Sequence, residues 1–224
     1  WVQRGSGIWE ARAEKRHYVF SKIMCWVGLS RAVEIAQLTG RKAPIERWRS
    51  TARAVKAEVL SRGWDDRKQC FVQHYETDAL DASLLFIPFV GFLPRQDARF
   101  LSTLERIQEE LGHGCLLRRY LPEETPDGLP GSEGAFAMLS FWLVSALLFA
   151  GQAEKAARYF EEALSFGSPL GLFSEMVDPS SGELLGNYPQ ALTHTALIHA
   201  ARNLTIVERQ GTLPPHRGLP WYRL

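Results

Sequence analysis

The sequence predicts an all-α fold in which helical hairpins form two concentric layers. Seven segments carry helical patterns, their apolar character alternates between all-round and one-sided, and no strand-like alternation of comparable length competes with them. An interior helix in such a fold is covered by its hairpin partner on one side and by interior neighbours on the others, while the partner shows water a polar face.

From Tyr18 to Ala36 apolar residues occupy most faces, among them Val19, Ile23, Trp26 and Val33, which predicts an interior helix. Ile45 to Leu60 is its amphipathic partner, with Ile45, Trp48, Ala52, Val55 and Val59 on one side and Arg47, Arg49, Arg53, Lys56 and Glu58 on the other. Ala79 to Val90 is a short apolar segment broken by Pro88, and Phe100, Leu104, Ile107 and Leu111 then stripe a charged helix. Ala135 to Ala150 is apolar on every face and precedes an amphipathic run marked by Ala153, Ala156, Phe160, Ala163 and Leu164. The last helix, about Gln190 to Leu204, is apolar again. Ala135 to Ala150 is shorter than the roughly 20 residues that cross a bilayer and lies between Glu133 and Gln152, so it reads as a core helix.

Composition narrows the partners. The chain has 224 residues, 46% hydrophobic and 23% charged, and its 26 basic and 25 acidic residues give a net charge of +1 with no basic cluster. No field draws nucleic acid or an acidic membrane, and a neutral or small ligand is expected. Cys25, Cys70 and Cys115 are odd in number and lack CxxC or Cys/His spacing, which argues against a disulfide framework and a zinc site. A reducing, cytoplasmic setting fits them; no signal peptide opens the chain, whose first residue is Trp. The six histidines form no HExxH pair, no phosphate-cradling glycine loop is present, and GxSxG is absent, so neither metal nor cofactor is expected.

Carboxylates among aromatics remain. Two long Gly- and Pro-rich connections, Arg118 to Gly134 and Phe166 to Gln190, and the Trp9-Glu10 stretch each lead into an apolar helix, which gathers them at one mouth. Sugars suit such a mouth, because aromatic rings stack on their CH faces while carboxylates and Arg bind their hydroxyls. Glycosidic cleavage needs one protonated and one ionised carboxyl group. Glu10 beside Trp9 is placed to be the acid, if the ring desolvates its carboxylate, and Glu175 between Phe173 and Met176 is placed to be its partner. Ordinary surface-loop glutamates satisfy the same composition.

The stretches GIWEARAEKRHYVFSKIMCWVGLSRAVEIA, DASLLFIPFVGFLP, RRYLPEETPDGLPGSEGAFAMLSFWLVSALLFAGQAEKA and GLFSEMVDPSSGELLGNYPQALTHTALI resemble glycoside hydrolase family 15, the glucoamylase, glucodextranase and trehalase family. They run from about Gly7 to Leu204 in the family's order. The resemblance implies an (α/α)6 barrel, here incomplete because only about seven helices are visible, with an inverting mechanism. It makes Glu10 the general acid and Glu175 the base that activates water. Trp9, Arg119, Tyr120, Asp127 and Glu133 become substrate-binding positions. A salt bridge to a loop carboxylate is the alternative for Arg119, and a helix N-terminal charge the alternative for Glu133. His17 and Lys22 stand near the mouth, while Trp26 and Trp142 read as barrel packing. Gly5 and Ser6 depart from the family, which usually has an acidic residue just before GIWE.

Two parts are expected: residues 1–204 as a partial catalytic domain and 205–224 as a tail with Pro-rich turns. The implied activity is inverting hydrolysis of an α-glucosidic bond, glucoamylase-like with release of β-glucose, on an α-glucoside oligosaccharide. A trehalase of the same family, acting on trehalose, is the alternative. A truncated, non-catalytic carbohydrate-binding or interaction module is the reading from another class.

Overall fold

A computed structural model describes residues 1–125 and 133–214. Helix α1 (Val19–Thr39) ends where Gly40 turns left-handed, at φ 65°, a conformation glycine adopts without Cβ strain. Helix α2 (Ile45–Arg62) returns along it, burying Ala52, Val55 and Val59 as its apolar spacing requires. The two helices meet closely at Gly63, where a Cβ would lie 2.8 Å from the Val59 carbonyl and 2.9 Å from a Val19 methyl.

Two-residue strands β1 (Trp64–Asp65) and β2 (Cys70–Phe71) then pair antiparallel. The Ala79–Val90 segment, expected to be helical, forms only a 3-10 helix at Ala82–Phe86 followed by turns. Pro88 explains this: it has no N–H for a continuing ladder and its ring clashes with the preceding turn. Asp81 caps the 3-10 helix by accepting the Ser83 N–H. Helix α3 (Ala98–Leu111) buries Phe100, Leu104, Ile107 and Leu111, the stripe read from sequence, and is capped by Asp97 accepting the Arg99 N–H.

Strands β3 (Gly112–His113) and β4 (Leu116–Leu117) form a second short hairpin. Strand β5 (Ala135–Phe136) runs straight into helix α4 (Ala137–Phe149), and helix α5 (Ala153–Leu164) folds back on it. Strands β6 (Met176–Val177) and β7 (Leu184–Leu185) complete a three-stranded sheet in the order β5-β6-β7, and helix α6 (Ala191–Gln210) packs on α4 and α5.

Helix α4 is interior, as its sequence predicts: Leu139, Leu143, Val144, Ala146 and Leu147 are fully buried against α5, α6, the 3-10 helix and β4. Helices α1 and α6 differ from the expectation of all-round contact. Met24, Ile35, Leu192 and Ile198 are 39%, 45%, 55% and 64% exposed, because packing within the described residues covers only part of each helix. Among the described residues no helix is long and apolar enough to cross a membrane.

Helix α6 continues to Gln210, past Leu204, before a left-handed Gly211 ends it. Beyond it Leu213 is buried, and Arg95 donates to the carbonyls of Leu213 and Pro214 at 2.7 and 2.6 Å. Residues 215–224 lie outside the described part.

Candidate active site

Trp9 sits at the centre of the site. Its ring packs edge-on against Phe136 (5.9 Å between centroids) and obliquely against Trp142 (6.4 Å). The Arg119 guanidinium lies over it at 5.4 Å. Its indole N–H points inward to Asp81, 3.0 Å from Oδ1 and 3.1 Å from Oδ2. Trp142 also meets Phe86 at 4.4 Å, so it supports Trp9 from the core side, in keeping with its reading as packing.

Glu10 follows in a turn with its backbone at φ 53°, in the left-handed region uncommon outside glycine. It is exposed, and among the described residues its carboxylate has no hydrogen-bond partner. The sequence expectation that Trp9 would desolvate Glu10 is therefore not met: the ring turns into the core toward Asp81 instead of covering its neighbour.

Glu175 is half-buried at the start of β6 and better held. Its backbone accepts the Ala137 N–H and donates to the Asn187 carbonyl, both at 2.9 Å. Its Oε2 accepts the Asn187 backbone N–H at 3.0 Å and side-chain Nδ2–H at 2.8 Å. Gly186, at φ 74°, is needed here, since a Cβ would lie 2.8 Å from that same oxygen. Two donors fix Oε2, and Oε1 has no protein partner among the described residues.

These contacts join segments remote in sequence. Trp9 touches Phe136, Phe136 pairs with Met176 across the sheet, and the next residue, Ala137, bonds the Glu175 carbonyl. Glu10 adjoins Trp9 and Glu175 adjoins Met176, so each stands next to a member of this chain of contacts. Arg119 belongs to it, forming a two-point ion pair with Glu133 (Nε to Oε2 3.0 Å, Nη2 to Oε1) while its plane faces Trp9, Tyr120 and Phe136. Arg119 makes a salt bridge to a loop carboxylate, and that carboxylate is Glu133, which precedes the start of α4. Tyr120 is buried in the core under Arg119, so it shapes the site from beneath without offering its ring to a ligand. Asp127 lies outside the described residues.

Two residues near the mouth turn elsewhere. Lys22 is buried, with Nζ donating to the Trp1 and Gln3 carbonyls at 2.5 and 2.7 Å, and burial lowers its pKa. His17 stacks on Tyr75 at 5.7 Å and its pKa is also lowered by burial. Trp26 packs on Phe92 at 5.2 Å, as barrel packing. Burial pushes the Cys70 and Cys115 thiols up to about 11 and about 12, which leaves them as packing.

Sequence reasoning missed Asp81, Gln73 and Asn187. Asp81 lay inside a quoted apolar stretch, where one carboxylate before a run of hydrophobic residues is a signal in itself: a charge in such a place must be paired. Asn187 follows a glycine in a loop and has no comparable signature.

Comparison with known proteins identifies the family and the fold. Residues 1–202 match the family model for glycosyl hydrolases family 15. A trehalase of Mycolicibacterium smegmatis is 47% identical over 94% of this chain, and one of Thermoplasma volcanium 42% identical over 91%. The chain spans about a third of the length of these curated relatives, 31% and 32%. Among solved structures, a glycosidase in complex with glucose superposes with a TM-score of 0.76 at 18% identity, over 92% of this chain and 56% of its own. A glucoamylase from Saccharomycopsis fibuligera gives 0.73 at 14% identity, over 93% and 59%. At such identities the likeness is one of fold, that of the (α/α)6-barrel glycosidases. Four motif blocks in order, a helical architecture of matching type and a family match over nearly the whole chain lead to one conclusion: this chain belongs to glycosyl hydrolases family 15.

Proposed function

We propose that this chain carries the general acid and general base of an inverting α-glucoside hydrolase whose substrate is trehalose. Glu10 donates a proton to the oxygen linking the two glucose units. Glu175 takes a proton from a water, whose oxygen attacks the anomeric carbon from the opposite face as the glycosidic bond breaks. One product is β-glucose and the other is the glucose that leaves with the bridging oxygen. Proton exchange with solvent restores both carboxyl groups.

Glu175 suits the role of base because its Asn187 bonds occupy Oε2 and leave Oε1 without a protein partner among the described residues. Glu10 suits the role of acid because it stands open beside an anchored ring, where a bound sugar supplies the cover that the protein does not. Trp9, Arg119 and Glu133, with Asp127 of the same motif, serve the sugar; Tyr120 acts through Arg119. The choice of trehalose over the glucoamylase-like reading rests on one observation, the 42–47% identity to trehalases over more than nine-tenths of this chain.

Replacing Glu10 or Glu175 with Gln in the full-length protein is expected to lower trehalose turnover by about 10²–10⁴-fold while calorimetry still detects sugar binding. Near-normal turnover in either variant would refute the assignment. Across trehalose, maltose and starch, the wild type is expected to prefer trehalose; a preference for starch or maltose would restore the glucoamylase-like reading.

A further inference from the structure

We infer that Asp81 is a positioning residue for the general acid: its buried carboxylate fixes the Trp9 indole, and through Trp9 the strained turn that presents Glu10. This rests on the acid role proposed for Glu10.

Asp81 is 2% exposed and is fully provided with donors. Trp9 Nε1–H contacts both oxygens, the Ser83 N–H reaches Oδ1 at 2.8 Å, and Gln73 Nε2–H reaches Oδ2 at 3.3 Å. Gln73 in turn accepts from the Thr125 hydroxyl at 3.1 Å. The adjoining Ala82 N–H bonds the Arg119 carbonyl at 2.9 Å. One short segment therefore ties together Trp9, the Arg119 backbone and, through Gln73, Thr125 of the Arg118–Gly134 connection. Capping a five-residue 3-10 helix requires one acceptor; the second oxygen and the indole bond exceed that need.

Backbone strain points the same way. A left-handed non-glycine residue is strained and persists only where its surroundings over-determine it. The Glu10 side chain is exposed and contributes no hold; the turn is held by the Glu10 N–H on the Gly7 carbonyl at 3.4 Å, the Ala11 N–H on the Ser6 carbonyl at 3.0 Å, and the anchored Trp9 ring. Two rings and the Arg119 guanidinium pack on Trp9, and among the described residues the indole N–H donates to Asp81 alone, which sets the rotation of the ring. Burial raises the Asp81 pKa and its donors lower it, which marks a carboxylate kept in place at some cost.

Asp81→Asn retains the shape and an equally good cap oxygen but sets an NH₂ group against the indole N–H or against Gln73. Trp9→Phe retains a ring and removes the N–H. Each variant is expected to lower kcat on trehalose about tenfold, with the Asp81→Asn KM within about twofold and its melting temperature near that of wild type, since removal of a buried charge offsets the donor left without an acceptor. If Asp81 acts through the indole, the double variant is no slower than the slower single variant. Wild-type kcat in either single variant, or losses that multiply to about 100-fold in the double, would overturn the inference; so would a lowered melting temperature with unchanged kcat, the mark of a cap alone. Wild-type protein and Glu10→Gln run in parallel separate the two readings. A Glu10→Gln variant as fast as wild type sinks the acid assignment and this inference with it, whereas a dead Glu10→Gln beside a fully active Asp81→Asn sinks this inference alone.

Discussion

Glu175 and Asn187 show what one loop residue adds to a carboxylate. Two N–H groups of Asn187 share Oε2, one from the backbone and one from the side chain, so removing the side chain leaves half of the hold intact. Asn187→Ala is expected to reduce kcat about tenfold, equivalent to about 1.4 kcal/mol, with KM nearly unchanged. Its stability should stay within about 0.5 kcal/mol of wild type because Asn187 is exposed. Steady-state kinetics with a urea titration measures both, and an unchanged kcat would mean that Glu175 needs no such clamp. At this scale the sequence singled out two carboxylates, Glu10 and Glu175, because they stand in recognisable motifs. It did not reveal their supports: the Trp9-Asp81 and Glu175-Asn187 pairings join distant positions, and no local periodicity encodes them.

Among the elements, legibility followed periodicity. Helix α3 and helix α4 were readable because a one-sided stripe and an all-round apolar run each imply one kind of environment. The 3-10 helix was misread as part of a longer helix because its apolar content is helical in character while Pro88 limits its length. The caps are local chemistry and can be tested singly. Asp97 accepts the Arg99 N–H at 3.0 Å and pairs with the Arg99 guanidinium, which holds its carboxyl below the usual carboxylate range. Asp97→Ala should cost about 1 kcal/mol at neutral pH. The folded pKa is depressed, so this stabilisation is complete above the unfolded value near 3.9 and is lost as pH falls through the lower folded value. The gap between wild-type and variant urea midpoints should therefore narrow below about pH 4. A gap that widens on acidification would contradict the cap.

In the whole molecule, the short β5-β6-β7 sheet does for the site what the helices cannot. It fastens the Glu175 loop to the strand that opens α4, while Trp9 packs on that strand from the other segment. The alternation of helix types made the layered architecture legible, but it overstated the cover on α1 and α6, whose apolar residues Ile35 and Ile198 stay 45% and 64% exposed. Pattern reports what a helix surface is suited to touch, and only the fold reports what touches it.

A general acid paired with a base that activates water, the roles proposed for Glu10 and Glu175, gives inversion, and trehalose makes inversion visible because both of its glucose units begin as α-anomers. Proton NMR of the first turnovers, recorded before mutarotation, should show β- and α-glucose rising together in equal amounts with wild-type protein, and neither with Glu10→Gln or Glu175→Gln. Release of α-glucose alone, or an equal β signal from either variant, would contradict the pairing of Glu10 with Glu175.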